Sequence, residues 1–151
     1  MKNELKSKTR LTFIQIIFQS LSTKNDIHEI FIEFNNSYKN IKVDFFDKKK
    51  IKFEFNSNYL KKLLIFYKNF INSNNYVFLI NKHITFKRKF EKWDIINQSI
   101  LLASLSEIKN TDDSKVKIIL NDYLNIGKLF VDQSNITTIN AIIDKIIYNE
   151  K

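Results

Sequence analysis

The chain has no cysteine and one glycine, Gly127, among its 151 residues. Without cysteine there is no disulfide, no thiolate nucleophile and no thiolate metal ligand. The lone glycine sits inside an apolar-periodic stretch, which excludes every Gly-rich phosphate loop. Histidine is scarce as well. His28 and His83 stand apart from each other and from any carboxylate cluster at ligand spacing, so they read as surface or half-buried structural residues, with no metal site. The pair Asp112 and Asp113 falls at a helix start, where capping explains it without acid-base chemistry. No catalytic residue, enzymatic activity, cofactor or metal is therefore expected.

Long apolar runs are also missing. Nothing approaches the roughly 18 residues that span a bilayer, and the early stretch Leu11 to Phe18 is broken by Thr12 and Gln15. That stretch reads as a helix face and not as a signal peptide, which points to a cytoplasmic protein with no membrane partner. At 44% hydrophobic residues the chain can bury a core without staples, and its length suits one domain, residues 1–151.

What is present is helical periodicity, most plainly from Trp93 to Lys145. In the last segment Ile136, Ile139, Ile142, Ile143, Ile146 and Ile147 form one stripe, while Asn135, Thr137, Asn140, Asp144 and Lys145 lie off it. The segment before it starts behind Asp112, Asp113 and Ser114 and carries Val116, Ile119, Leu120, Tyr123, Ile126, Gly127 and Phe130. A third opens at Trp93 or Asp94 and runs through Ile96, Ile100, Ala103 and Leu105 to Ile108. Three helices with short connections pack as antiparallel neighbours.

Near the other end, the first helix is expected to bury Leu11, Ile14, Ile17 and Leu21, with Phe13 and Phe18 pointing elsewhere. Asp26 to Tyr38 reads as a second helix through Ile27, Ile30, Phe31 and Phe34. Then the period changes. Ile41, Val43 and Phe45, and after Asp47 to Lys50 also Ile51, Phe53 and Phe55, alternate with polar residues, the pattern of a short β-hairpin or an extended insert over about 40–56. An isolated hairpin is marginal, so it should lie on the helices by its Ile and Phe side. Ser57 or Asn58 caps the next helix through Leu60, Leu63, Leu64, Tyr67 and Ile71, and Asn74 begins another through Val77, Phe78 and Ile80 or Ile84.

The net charge of +9 invites a nucleic-acid reading, because phosphate neutralisation supplies most sequence-independent affinity. Of the 25 basic residues only Arg10 and Arg88 are arginine, and an abundance of lysine is first of all a solvated surface. Placement says more. Lys2, Lys6 and Arg10 lie four apart and drift only about 40° per step around a helix, with Lys8 beside them and Glu4 the lone opposing charge. The runs Lys48, Lys49, Lys50 and Lys87, Arg88, Lys89 are read as loops kept in solvent.

Side-chain order in these segments resembles the family of the transcription antitermination factor NusB. A small residue, Ile-Leu, Ala and Glu-Leu of the family correspond to Ser99, Ile100, Leu101, Ala103, Glu107 and Ile108. Its Val-Ala-Ile-Asn-Glu, Leu-Ala-Lys and Phe correspond to Ile118, Ile119, Leu120, Asn121, Asp122, Ile126, Gly127, Lys128 and Phe130. The closing Phe-Val-Asn-Gly-Val-Leu-Asp-Lys is similar to Thr138 through Lys145, with Thr for Phe and Ala for Gly. Lys6, Lys8, Arg10, Gln15 and Phe18, then Asn25, Asp26 and Ile27, resemble the first helix and the start of the second. Asn97 and Leu102 replace a family acid and arginine.

The resemblance implies an all-α bundle of about seven helices in two packed sub-bundles, about 1–72 and about 73–151, the alternating segment being a departure from it. It implies binding of single-stranded boxA-like RNA together with a small-subunit ribosomal protein, NusE, acting indirectly on the RNA polymerase elongation complex in ribosomal RNA operons. Carried over residue by residue, Lys6, Lys8 and Arg10 face phosphate, Gln15 and Asn140 touch RNA, and Phe18 faces the protein partner; Lys2 joins the RNA-binding set through its spacing on the basic stripe. On its own the protein is expected to be a monomer or weak homodimer. Two alternatives belong to other classes. One is a NusB-like protein-interaction module without sequence-specific RNA binding, and the other an RNA-binding appendage of an RNA cytosine methyltransferase, whose Gly-rich half this chain lacks.

Overall fold

The computed structural model describes residues 1–39, 42–44, 50–52, 54–73, 75–86 and 88–149. Among them are seven α-helices: α1 Asn3–Thr23, α2 Ile27–Glu33, α3 Ser57–Asn72, α4 Tyr76–Asn81, α5 Ile95–Ile108, α6 Asp113–Gly127 and α7 Gln133–Asn149. A π-helical turn, Phe34–Tyr38, continues α2, and a 3-10 turn, Phe90–Lys92, precedes α5. The expected hairpin is there as β1 Lys42–Asp44 and β2 Lys50–Lys52, antiparallel with Val43 opposite Ile51. Its turn with Asp47, Lys48 and Lys49, together with Asn74 and Lys87, lies outside the described residues.

Helix α5 is the hub. It packs against α1, α3, α6 and α7 and therefore has no wet side from Ser99 to Ile108. A helix apolar all round is a core helix, and its polar residues must find partners within it. The hydroxyls of Ser99, Ser104 and Ser106 donate to the carbonyls of Ile95, Ile100 and Leu102 at 2.7, 2.6 and 2.6 Å. Helix α1 is embraced in the same way by α2, α3, α5 and α6. This corrects the expectation for Phe13, which is fully buried and meets Tyr67 edge-on at 6.3 Å, while Leu11 and Leu21 are only partly covered. By contrast α7 follows its stripe, with Ile136, Ile139, Ile142, Ile143 and Ile146 buried.

Caps fix the helix starts. The Asp26 carboxylate accepts from the amides of His28 and Glu29, and the Asn56 side chain accepts from that of Tyr59 at 2.8 Å. Asn56, one residue before the expected Ser57 or Asn58, is thus the α3 cap. The Asn56 amide in turn donates to Thr9 Oγ1 at 3.0 Å, which ties the arm leaving β2 to α1.

Candidate nucleic-acid interface

The N-terminal half of α1 brings its cations to three different environments. Arg10 is the correction. Only 7% exposed, it turns inward, and its Nε and Nη2 donate to the two oxygens of Glu107 at 2.9 and 3.0 Å. Its Nη1 donates to Asp122 at 2.6 Å, and its guanidinium lies within 6 Å of the Tyr59 and Tyr123 ring centres, at 5.8 and 5.7 Å. Burial opposes the charge, and the Glu107 carboxylate outweighs it, so the guanidinium is held more firmly protonated than usual. Glu107 also accepts from the hydroxyls of Tyr59 and Tyr123 at 2.5 and 2.6 Å. Arg10 is therefore a clamp joining α1 to α5 and α6, each of its three guanidinium nitrogens already donating to a carboxylate.

Lys8 is the second departure. Its ammonium reaches Glu4 at 3.2 Å and Glu54 at 3.0 Å, the latter on the arm that leaves the hairpin. Hydrogen bonding to Glu54 and then Glu4 raises its pKa. Two carboxylates already neutralise it. Lys2 is exposed and Lys6 half-buried, and among the described residues neither has an ion-pair partner.

Lys6 lines a groove of about 560 Å3 between α1 and α6. Asn3 shares its wall, and Lys115, Ile118, Asn121 and Asn125 line it from α6. Its floor is where Arg10 pairs with Asp122, whose other oxygen accepts from Ser7 at 2.7 Å. Asn121 and Asn125 also line a second groove, between α6 and α7, that holds Lys128, Thr137 and Asn140. The exposed ridge of α6 thus joins the predicted cations of α1 to the predicted Asn140 of α7. Gln15 is half-buried with its Oε1 unpartnered among the described residues, and Phe18, three residues on, is half-buried.

Sequence reasoning missed Lys115, Asn121 and Asn125 as groove residues, although their place off the α6 stripe was visible. It also missed that Glu107 is the carboxylate that withdraws Arg10 from the surface. No described helix is long and apolar enough to cross a membrane, and the described residues hold no cluster of metal-ligating side chains.

Comparison with known proteins bears on this arrangement. The model of the NusB family matches residues 7–148. A transcription antitermination protein NusB of Buchnera aphidicola subsp. Cinara cedri is 30% identical over 72% of this chain and 78% of its own. Those of Rickettsia typhi and Rickettsia bellii are 24% and 26% identical over 93% and 97% of this chain and 90% and 92% of theirs. With a family match that runs from α1 to α7 on an all-helical bundle, this chain belongs to the NusB family.

Proposed function

We propose that this chain is a transcription antitermination factor. It captures single-stranded boxA-type RNA across α1, α6 and α7 and works with a small-subunit ribosomal protein of the NusE type. The observation that carries the reading is the α1/α6 groove, where Lys6 and Lys115 stand on opposite walls without a carboxylate partner among the described residues. Unpaired cations release counterions from a polyanion, whereas Lys8 and Arg10 already hold anionic partners. Lys2 adds a third cation beside Asn3, and Asn121, Asn125 and Asn140 offer amides to base edges along the path. Gln15 reads RNA from the middle of the same helix, and Phe18 receives the protein partner. Alone, the protein is a monomer or weak homodimer.

Ile118, 71% exposed on the groove wall, favours a second reading, in which the face recruits proteins and reads no RNA. Titration of a boxA-like RNA with and without the NusE-type partner separates the two. Tight binding is expected only with both present, with a slope of log Kd against log salt of roughly 2, from three cations at about 0.7 each. Changing Lys2, Lys6 and Lys115 together to Gln should flatten that slope. A slope near zero in the unaltered protein refutes the groove as an RNA track, and partner binding unaffected by RNA selects the second reading.

A further inference from the structure

Helix α3 contains no acidic residue, and its outer ridge runs through Lys61, Lys62, Ile65, Lys68 and Asn69, all of them exposed. Ile65, in the middle of that ridge, is 58% exposed. On a helix surface the neighbours of a residue are those three and four positions away, and for Ile65 these are Lys62 and Lys61 on one side, Lys68 and Asn69 on the other. An uncovered aliphatic side chain thus stands inside a ring of three lysines and one asparagine.

Two of those lysines are held by aromatic rings. Lys61 Nζ lies over the Phe31 ring of α2, 6.0 Å from its centre, and Lys62 Nζ over the Phe66 ring at 5.7 Å, both within cation–π reach. A lysine lays its methylene stem along nearby apolar surface, and these two cover Phe31 and Phe66 while Ile65 keeps more than half its surface in water. Among the described residues none of the three lysines has a carboxylate partner, and no Asp or Glu lies three or four positions from any of them. A single exposed isoleucine needs no explanation. One ringed by fixed charges of a single sign has the make-up of half a protein interface, an apolar centre inside a polar rim.

We propose that this ridge docks an acidic segment of a partner protein, with one apolar side chain seated on Ile65 and carboxylates meeting Lys61, Lys62 and Lys68. The sign of the partner follows from charge: three cations with no anion among them repel a basic surface and pair with carboxylates. Ile65 selects protein over RNA. A phosphate backbone gains nothing from an aliphatic centre, and bases stack on open ring faces, whereas here Phe31 is 3% exposed, Phe66 is partly buried and a lysine caps each. Because both ammonium groups are placed before the partner arrives, less ordering is left for the encounter. One aliphatic centre with three cations is a small contact, of the transient kind. No residue of the ridge lines the α1/α6 groove, so the proposal stands apart from the RNA reading.

The test titrates the full chain, labelled with nitrogen-15, with a synthetic helical peptide of alanine and glutamate that carries one central leucine flanked by glutamates three and four positions away. Amide shifts read by NMR should saturate, centre on α3 and the adjoining part of α2, and weaken as salt rises. Ile65→Ser should weaken the peptide roughly tenfold, as loss of one buried aliphatic side chain does, and a peptide with alanine for its leucine should lose as much against the unaltered chain. Lys61→Glu combined with Lys68→Glu should abolish binding while RNA affinity and its salt slope stay as they were. No saturable shift in the unaltered chain, shifts centred away from α3, or equal binding by a peptide with lysine for glutamate overturns the proposal and leaves the α1/α6 groove untouched. A flattened RNA salt slope in the Lys61→Glu, Lys68→Glu variant assigns these lysines to phosphate and overturns it as well.

Discussion

Replacing Arg10 with methionine keeps most of the side chain's volume and removes the cation that meets the Glu107 carboxylate. The side chains of the pair are 9% and 6% exposed, so solvent does not substitute for what is lost. Removing one member of a buried ion pair costs about 3–5 kcal/mol, mostly because the other member stays buried and unpaired. Glu107 is not stripped completely, since the hydroxyls of Tyr59 and Tyr123 still donate to it at 2.5 and 2.6 Å. Asp122 likewise keeps Ser7 at 2.7 Å. The lower bound is therefore the expected value, about 3 kcal/mol, which for a domain of this size lowers Tm by roughly 6–12 °C. Urea unfolding followed by Trp93 emission and far-UV circular dichroism should show an earlier midpoint at unchanged m. Adding Glu107→Leu removes the second charge and should restore part of the loss, as replacement of both partners by apolar groups does elsewhere. Affinity for RNA and its salt slope should stay as they were at temperatures where the variant is folded. A loss below about 1 kcal/mol, or a flattened salt slope like that expected when Lys2, Lys6 and Lys115 are changed together to Gln, would show that Arg10 acts at the surface and refute the clamp.

Three further outcomes follow from the same packing. Burial, and then the Glu107 carboxylate beside them, raise the pKa values of Tyr59 and Tyr123, so both stay protonated in the folded protein at pH values where the unfolded chain begins to lose those protons. Stability from this protonation is complete below the ordinary tyrosine value of about 10 and is lost as pH rises beyond it, so denaturation midpoints should be level between about pH 8 and pH 9 and fall towards pH 11; midpoints that stay level or climb there would contradict it. Asn56→Ala removes the acceptor for the Tyr59 amide and should destabilise by about 1 kcal/mol in the same assay. At Gly127 a Cβ would come within 2.7 Å of Ile136 Cδ1 and 3.4 Å of Ile100 Cδ1. Gly127→Ala should therefore gain little of the roughly 1 kcal/mol of helix propensity, and Gly127→Val should be destabilising by about 2–3 kcal/mol, so a Val variant as stable as the parent would show that α7 can move away.

The helices that were legible in sequence are those with one wet side. α7 and α6 each face the core along a single stripe, so a 3.6-residue period located their buried residues, Gly127 included. α1 and α5 are enclosed by several neighbours, and enclosure erases the stripe: Phe13 and Ile16 are buried beside Ile14 and Ile17. The hairpin announced itself by its change of period at Val43 and Ile51. The cations were harder. Lys6 and Arg10 look equivalent four residues apart, and what separates them is Glu107, 97 positions away from Arg10. Lys8 likewise depends on Glu54, which belongs to the segment least like the family. Asn97 showed in sequence only as a change from an acidic residue, and its hydrogen bond to Asn135, 38 positions on, is one no spacing rule connects.

The clamp around Glu107 also governs when this protein can assemble. Its members come from α1, α3, α5 and α6, so α1 cannot reach a settled position until Tyr123 has been synthesised. Until then Arg10 lacks its counterion and the apolar flanks of α1 have no α5 to lie against, a state exposed to misassociation. Closure of so long a loop delays the rewarding contacts until α6 has emerged, and these helices mature nearly all at once. Any truncation ahead of α6 should consequently yield a collapsed, protease-sensitive chain and not a smaller working domain.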